Sequence, residues 1–179
     1  MKIIILFLSL LVVTPVSNDD AITWNEDKKL IWADFKAQPD SNSDAAALTA
    51  SGITFGFAVK TSGNQIVDFS TTVSAQFYPH KSWYIKDKAN PHVLAHEQLH
   101  FDITELYARQ FRKELALLKV NRKIKAQMKA LHSQINTALN ERQQRYDLET
   151  NHSMNETAQQ EWKTNIAQEL KQLESFQSL

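Results

Sequence analysis

Residues 90–102, Asn90-Pro91-His92-Val93-Leu94-Ala95-His96-Glu97-Gln98-Leu99-His100-Phe101-Asp102, decide the fold. They open a long helix and carry two histidines one turn apart. Asn90 is a good N-cap, and Pro91 follows where a missing N–H costs nothing. The helical pattern runs on as "PHVLAHEQLHFDITELYARQFRKELALLK". At 100° per residue, His96, Leu99, His100, Ile103, Leu106, Tyr107 and Phe111 share one broad face that turns inward. Arg109 falls away from that face, with Glu105 four residues before it in the favourable order for an ion pair. A helix break is expected near Asn121.

Downstream the texture stays helical. Ile124, Met128, Leu131, Ile135, Ala138 and Leu139 make the stripe of a second helix, and Met128 reads as core. Ser153-Met154-Asn155-Glu156 has the pattern of a capping box and announces a third helix. Its stripe is Ala158, Trp162, Ile166, Leu170 and Leu173. "YDLETNHS", Tyr146 to Ser153, reads as the connector between the two. Upstream, from Ile22 to Tyr84, the chain is rich in Thr, Val, Ile, Phe and Trp, which favour strands. Strands are expected at Leu30–Phe35, Leu48–Lys60 and Ile66–Tyr78, with a hairpin turn at Thr61–Asn64. Gln38–Ala46 is a polar loop. The class is therefore α+β: a small antiparallel N-terminal sheet followed by three long helices. Strands before a helix that carries two histidines one turn apart suit a zincin-like half.

The remaining sequence sets limits. The 179 residues suit one domain with a core of its own. Twenty basic and twenty acidic residues balance, so nothing points to a nucleic-acid partner. There is no cysteine, which excludes disulfides, a thiolate metal site and a cysteine nucleophile. Lys2 precedes an apolar run from Ile3 to Val13, then Thr14-Pro15-Val16-Ser17. That run is short for a bilayer span and has the form of a secretory signal. The expected division is residues 1–17 as signal and 18–179 as one domain, secreted or periplasmic, with no membrane span in the mature chain.

"HEQLH" at 96–100 is an H-E-x-x-H motif. Two histidines four apart on a helix reach one zinc ion, and the glutamate one step round stands beside it as a general base for water. Glu97 takes that role. A catalytic zinc needs a third protein ligand. His92 and His100 stand about 12 Å apart along a straight helix and cannot share an ion. His92 reads as a first-turn surface residue, and His132 as a helix-surface residue at the edge of its stripe. His80 has no partner pattern. His152 lies in the polar connector just before a helix and is the expected third ligand; Glu149, Asp147 and Glu105 stay open in its place. Asp102 points away from the metal face and suits a supporting hydrogen bond. Tyr146 and Tyr107 read first as core, and second as stabilisers of an oxyanion.

"HEQLHFDITELYARQFRKEL" with "YDLETNHSMNETAQQEW" resembles the bacterial family catalogued as domain of unknown function 922, regarded as secreted zinc-dependent peptidases. "LIWADFKAQPD" and "FYPHKSWY" resemble it too, so the likeness covers roughly residues 24–170. It implies zinc on His96 and His100, Glu97 as general base, and His152 as a ligand within a Thr-x-His-Gly pattern. Here that stretch is Thr150-Asn151-His152-Ser153, with Ser for Gly. The expected activity is hydrolysis of a peptide or protein substrate by a secreted zinc metallopeptidase. A zinc amidase acting on cell-wall or small amides would use the same residues. A non-catalytic zinc module predicts a closed site, and a signal-anchored helical interaction protein predicts no metal.

Overall fold

A computed structural model describes residues 20–178. Strands β1 (Ile22–Thr23), β3 (Ser51–Ser62) and β4 (Gln65–Phe77) form an antiparallel sheet in the order β1-β4-β3. Strands β2 (Ala47–Leu48) and β5 (Trp83–Tyr84) form a second, two-stranded one. Helices α1 (Pro91–Ala116), α2 (Ile124–Thr150) and α3 (Glu156–Gln172) follow. The α+β architecture expected from the sequence is thus present. None of the described helices is long and apolar enough to cross a membrane. The expected signal at residues 1–17 lies outside the described residues.

The β3–β4 hairpin turns at Gly63 and Asn64, inside the expected turn, and Gly63 sits at φ +56°. A tight hairpin turn needs positive φ there, and glycine adopts it without a Cβ clash. One face of the hairpin is apolar by alternation: Val73, Ala75 and Phe77 of β4 are buried with Ile53 of β3, and the half-buried Phe55 packs against them. This face packs on α1, where Phe55 meets Phe111 edge to face with centroids 4.8 Å apart. Helices α2 and α3 cover the other side of α1.

Being covered on several sides explains why α1 departs from a one-faced reading. Phe101, Thr104, Glu105, Ala108 and Arg109 are buried as well as the expected inner face. Arg109, expected outside, is only 3 % exposed. Its Nε donates to Glu105 Oε1 at 3.0 Å, so the expected pair forms, but inside the protein. Arg112 Nη1 joins it, also at 3.0 Å. The two guanidinium groups donate onward to the carbonyls of Leu170, Phe176 and Val73. Buried charge is tolerated here because it is paired and hydrogen-bonded. The cluster clamps α1 to β4, to α3 and to the C-terminal turn.

Four further expectations change. Leu30–Phe35 is not a strand; Trp32–Asp34 is a 3-10 turn. Asp34 Oδ2 accepts from the backbone N–H of Ile31, a local bond that competes with a sheet ladder. Residues Tyr146–Thr150 are not connector but the last turn of α2, because the apolar stripe continues from Leu139 to the buried Tyr146 and Thr150. The third helix is capped by Asn155, whose Oδ1 accepts from Ala158 N–H, and not by Ser153. The true connector is 151–155, and Asn151, His152 and Ser153 have φ of +48°, +51° and +73°. His132 is not a surface residue either: its ring packs against Phe55 and Phe111.

Candidate metal centre

The last turn of α2 faces the middle of α1. Gln143, Tyr146, Asp147 and Thr150 follow the i, i+3, i+4, i+7 spacing of one helical face. That spacing puts Asp147 opposite His96 and His100. His100 Nε2 lies 2.9 Å from Asp147 Oδ1, His96 Nε2 lies 3.1 Å from the same oxygen, and the two nitrogens are 3.2 Å apart. Two ligand atoms on a tetrahedral zinc stand roughly 3.3 Å apart, given bonds of about 2.0–2.1 Å. The trio therefore matches the donor set and spacing of a metal site, and the three groups could hold an ion.

The electrostatics fit the same reading. Burial works against the Asp147 carboxylate, yet hydrogen bonds from His100 and His96 hold its pKa well below the ordinary range. Burial also opposes charge on His100, but the bond to Asp147 and the charges of Glu97 and Asp147 outweigh it and raise its pKa. Without an ion the trio must share a proton; a divalent cation would take its place.

Glu97 lies beside the trio, 4 % exposed. Its Oε2 is buried and accepts no hydrogen bond among the described residues. An orphaned buried carboxylate oxygen is costly, and such groups are kept where they act. Tyr146 is fully buried, stacks on His96 with centroids 4.5 Å apart, and directs its hydroxyl at His96 O at 3.4 Å. Burial, with the charges of Glu97 and Asp147, pushes its pKa far up, so it stays neutral. It is core and a wall for His96. Tyr107 is not part of the cleft; burial raises its pKa among Arg142, Glu169, Arg145 and Glu141.

The cleft measures about 400 Å³ and is walled on one side by the segment 45–51, which carries β2. His152 borders it. Its Nδ1 is 3.9 Å from Asp147 Oδ1, and its side chain is 69 % exposed. The structure thus brings His96, His100 and Asp147 together and leaves His152 at the rim. Glu149 and Glu105 are engaged elsewhere: Glu149 accepts from Trp162 Nε1 at 2.8 Å, and Glu105 is enclosed by the arginines. Asp102 accepts from Trp24 Nε1 and Gln98 Nε2, the supporting role expected for it. His92 is no free surface residue. It donates from Nε2 to the carbonyl of Ser153, while Gln159 Nε2 donates to His92 O at 3.1 Å. It ties the start of α1 to the turn that carries His152.

Two groups of this site are hard to find from the sequence. Asp147 sits in a polar run that reads as loop, and so does not stand out from Glu149 or His152 as a ligand. Gln143 carries no motif; the one signal for it is its place four residues before Asp147 on the same helical face. Its Oε1 accepts from His100 Nδ1, and its Nε2 donates to His100 O at 2.9 Å.

No curated protein and no solved structure matches the chain. A family model does, over residues 27–153, a span that takes in every residue of the cleft from Ala45 to Ser153. The chain belongs to the family described as "Bacterial protein of unknown function (DUF922)".

Proposed function

We propose that the chain is a secreted zinc-dependent peptidase, with His96, His100 and Asp147 holding the ion and Glu97 as general base. The observation that carries this is the convergence of three ligand atoms beside a buried carboxylate oxygen with no partner. Zinc there supplies Lewis-acid chemistry, making water acidic enough to lose a proton near neutral pH and polarising the scissile carbonyl. With the ion bound, Glu97 Oε2, which accepts no hydrogen bond among the described residues, would take a proton from water and give it to the leaving amine. His152 stands at the solvent side of the trio, where substrate enters. Among the described residues strand β2 has β5 on one side only, and an extended peptide can add to its other edge along the cleft wall. Secretion rests on the signal-like residues 1–17.

His152 also favours a second reading, a closed and non-catalytic metal site, because a side chain 3.9 Å from Asp147 can become a fourth protein ligand. Glu97 counts against it, since a structural site has no use for a buried base. The test is cleavage of a peptide library, read by mass spectrometry, with the zinc-loaded wild type and Glu97→Gln. Cleavage by the wild type, lost in a variant that still binds one zinc, supports the peptidase. Full zinc in both with no cleavage favours the closed site or an amidase, and hydrolysis of small amides separates those two.

A further inference from the structure

We propose that a cavity between α1 and α3, on the side of α1 away from the metal centre, binds a straight-chain fatty carboxylate with its head group at Arg109. The cavity measures about 760 Å³, within the roughly 300–1,000 Å³ common for small-molecule sites. Pro91, Leu94, Gln98, Asp102 and Arg109 line it from α1, at helical spacings that keep to one face. At 100° per residue, Gln98 and Asp102 stand about 160° round the helix from His96 and His100. The cavity shares no lining residue with the metal cleft.

The deep wall is apolar. Trp24, Leu99 and Ile166 are buried there, with Leu94 and Leu170 half-buried beside them. Its polar groups are already spent on one another. Trp24 Nε1 and Gln98 Nε2 donate to Asp102, and Gln98 Oε1 accepts from Leu30 N–H. A peptide or sugar body would leave its own polar groups unmet along this wall, whereas an alkyl chain loses nothing. Arg109 supplies the one polar end. It shares the Glu105 carboxylate with Arg112, so the interior cluster carries a surplus positive charge. Of the two arginines, Arg109 lines the cavity. Its Nε is taken by Glu105 and its Nη1 by the Leu170 carbonyl. Nη2 has no hydrogen-bond partner among the described residues, yet it is not sealed in. At the mouth Lys29, Lys163 and Lys171 are matched in number by Glu26, Asp102 and Glu174, so the surplus belongs to the interior. A carboxylate at Nη2 balances that charge and uses the free donor, and its chain covers the apolar wall.

The experiment is calorimetric titration of the metal-free full chain with hexanoate, octanoate and decanoate, and with octan-1-ol as the uncharged match. Affinity should rise roughly fourfold with each added CH₂. Octan-1-ol should bind about tenfold or more weakly than octanoate, since it lacks the charge-assisted bond. Arg109→Met leaves Glu105 with Arg112, and should make octanoate and octan-1-ol bind about equally. Ala167→Phe, at an exposed lining position, should fill the mouth and abolish binding. That variant carries the test if Arg109→Met fails to fold. Amide shifts on binding should mark Leu94, Gln98 and Leu170. Absence of binding overturns the proposal, as does an affinity independent of chain length, or octan-1-ol binding as tightly as octanoate. Shifts confined to Ala46–Ala50 would move the carboxylate to the metal cleft and overturn it too. Self-association of the wild type that Ala167→Phe abolishes would give this face to a second copy of the chain instead.

Discussion

Replacing Ser153 by glycine should stabilise the protein, although it removes a side chain. Ser153 has φ +73° and follows two other left-handed residues. A non-glycine residue in that region costs roughly 1–2 kcal/mol. Glycine escapes this, but its freer unfolded chain returns roughly 0.5–1 kcal/mol. The Ser153 hydroxyl makes no hydrogen bond among the described residues, and the His92 contact uses the backbone carbonyl, which glycine keeps. The net gain is therefore roughly 0.5–1 kcal/mol, or about 1–4 °C in Tm for a chain of this size. Thermal unfolding of the metal-free protein, followed by circular dichroism, should be run on wild type, Ser153→Gly and Ser153→Ala. Alanine retains the strained φ and should melt at or below wild type. A glycine variant no more stable than the alanine one would show that the turn stores no strain at this position.

Glu105→Gln should cost about 3–5 kcal/mol in denaturant unfolding, since it leaves two interior guanidinium groups without their shared carboxylate; a loss under about 1 kcal/mol would contradict a buried ionic clamp. Asp102→Ala should cost roughly 1–3 kcal/mol by orphaning the Trp24 and Gln98 donors, with zinc stoichiometry unchanged. Zinc affinity should fall as pH falls. The ion needs His100 neutral, and the raised pKa of His100 means the proton competes from above its ordinary 6.5 downward. Calorimetric titration in buffers of different ionisation enthalpy should show protons released on binding near neutral pH. An affinity that rises toward acid would refute this.

Much of this architecture is legible in the chain because its signals are local. Asn90-Pro91 caps α1, and Gly63 turns the hairpin, in each case through a bond or a dihedral set by neighbours in sequence. Periodicity also places His96 and His100 correctly, because one helix fixes their mutual geometry. What stays hidden depends on partners far along the chain. Nothing near Arg109 in sequence shows that α3 supplies the Leu170 carbonyl across from it. The end of α2 resembles a connector because Asp147, Glu149 and Thr150 are polar, and only packing on α1 shows that Asp147 faces inward beside the buried Tyr146. That polar run hides Asp147, while Gln143 lies outside it and carries no motif. A helix face that carries Gln143 and Asp147 beside Tyr146 suits the proposed metal centre, which needs polar groups where a stripe would otherwise be apolar.

Asp147, rather than His152, lies within ligand distance of both His96 and His100, and the proposed ligand set stands or falls on it. The decisive experiment is zinc per chain by elemental mass spectrometry, on wild type, Asp147→Ala and His152→Ala after identical zinc loading and dialysis. Close to one zinc is expected in the wild type and in His152→Ala, with a large loss in Asp147→Ala. Retention in Asp147→Ala with loss in His152→Ala would reverse the assignment and give the third position to His152. No zinc in any of the three would remove the metal altogether.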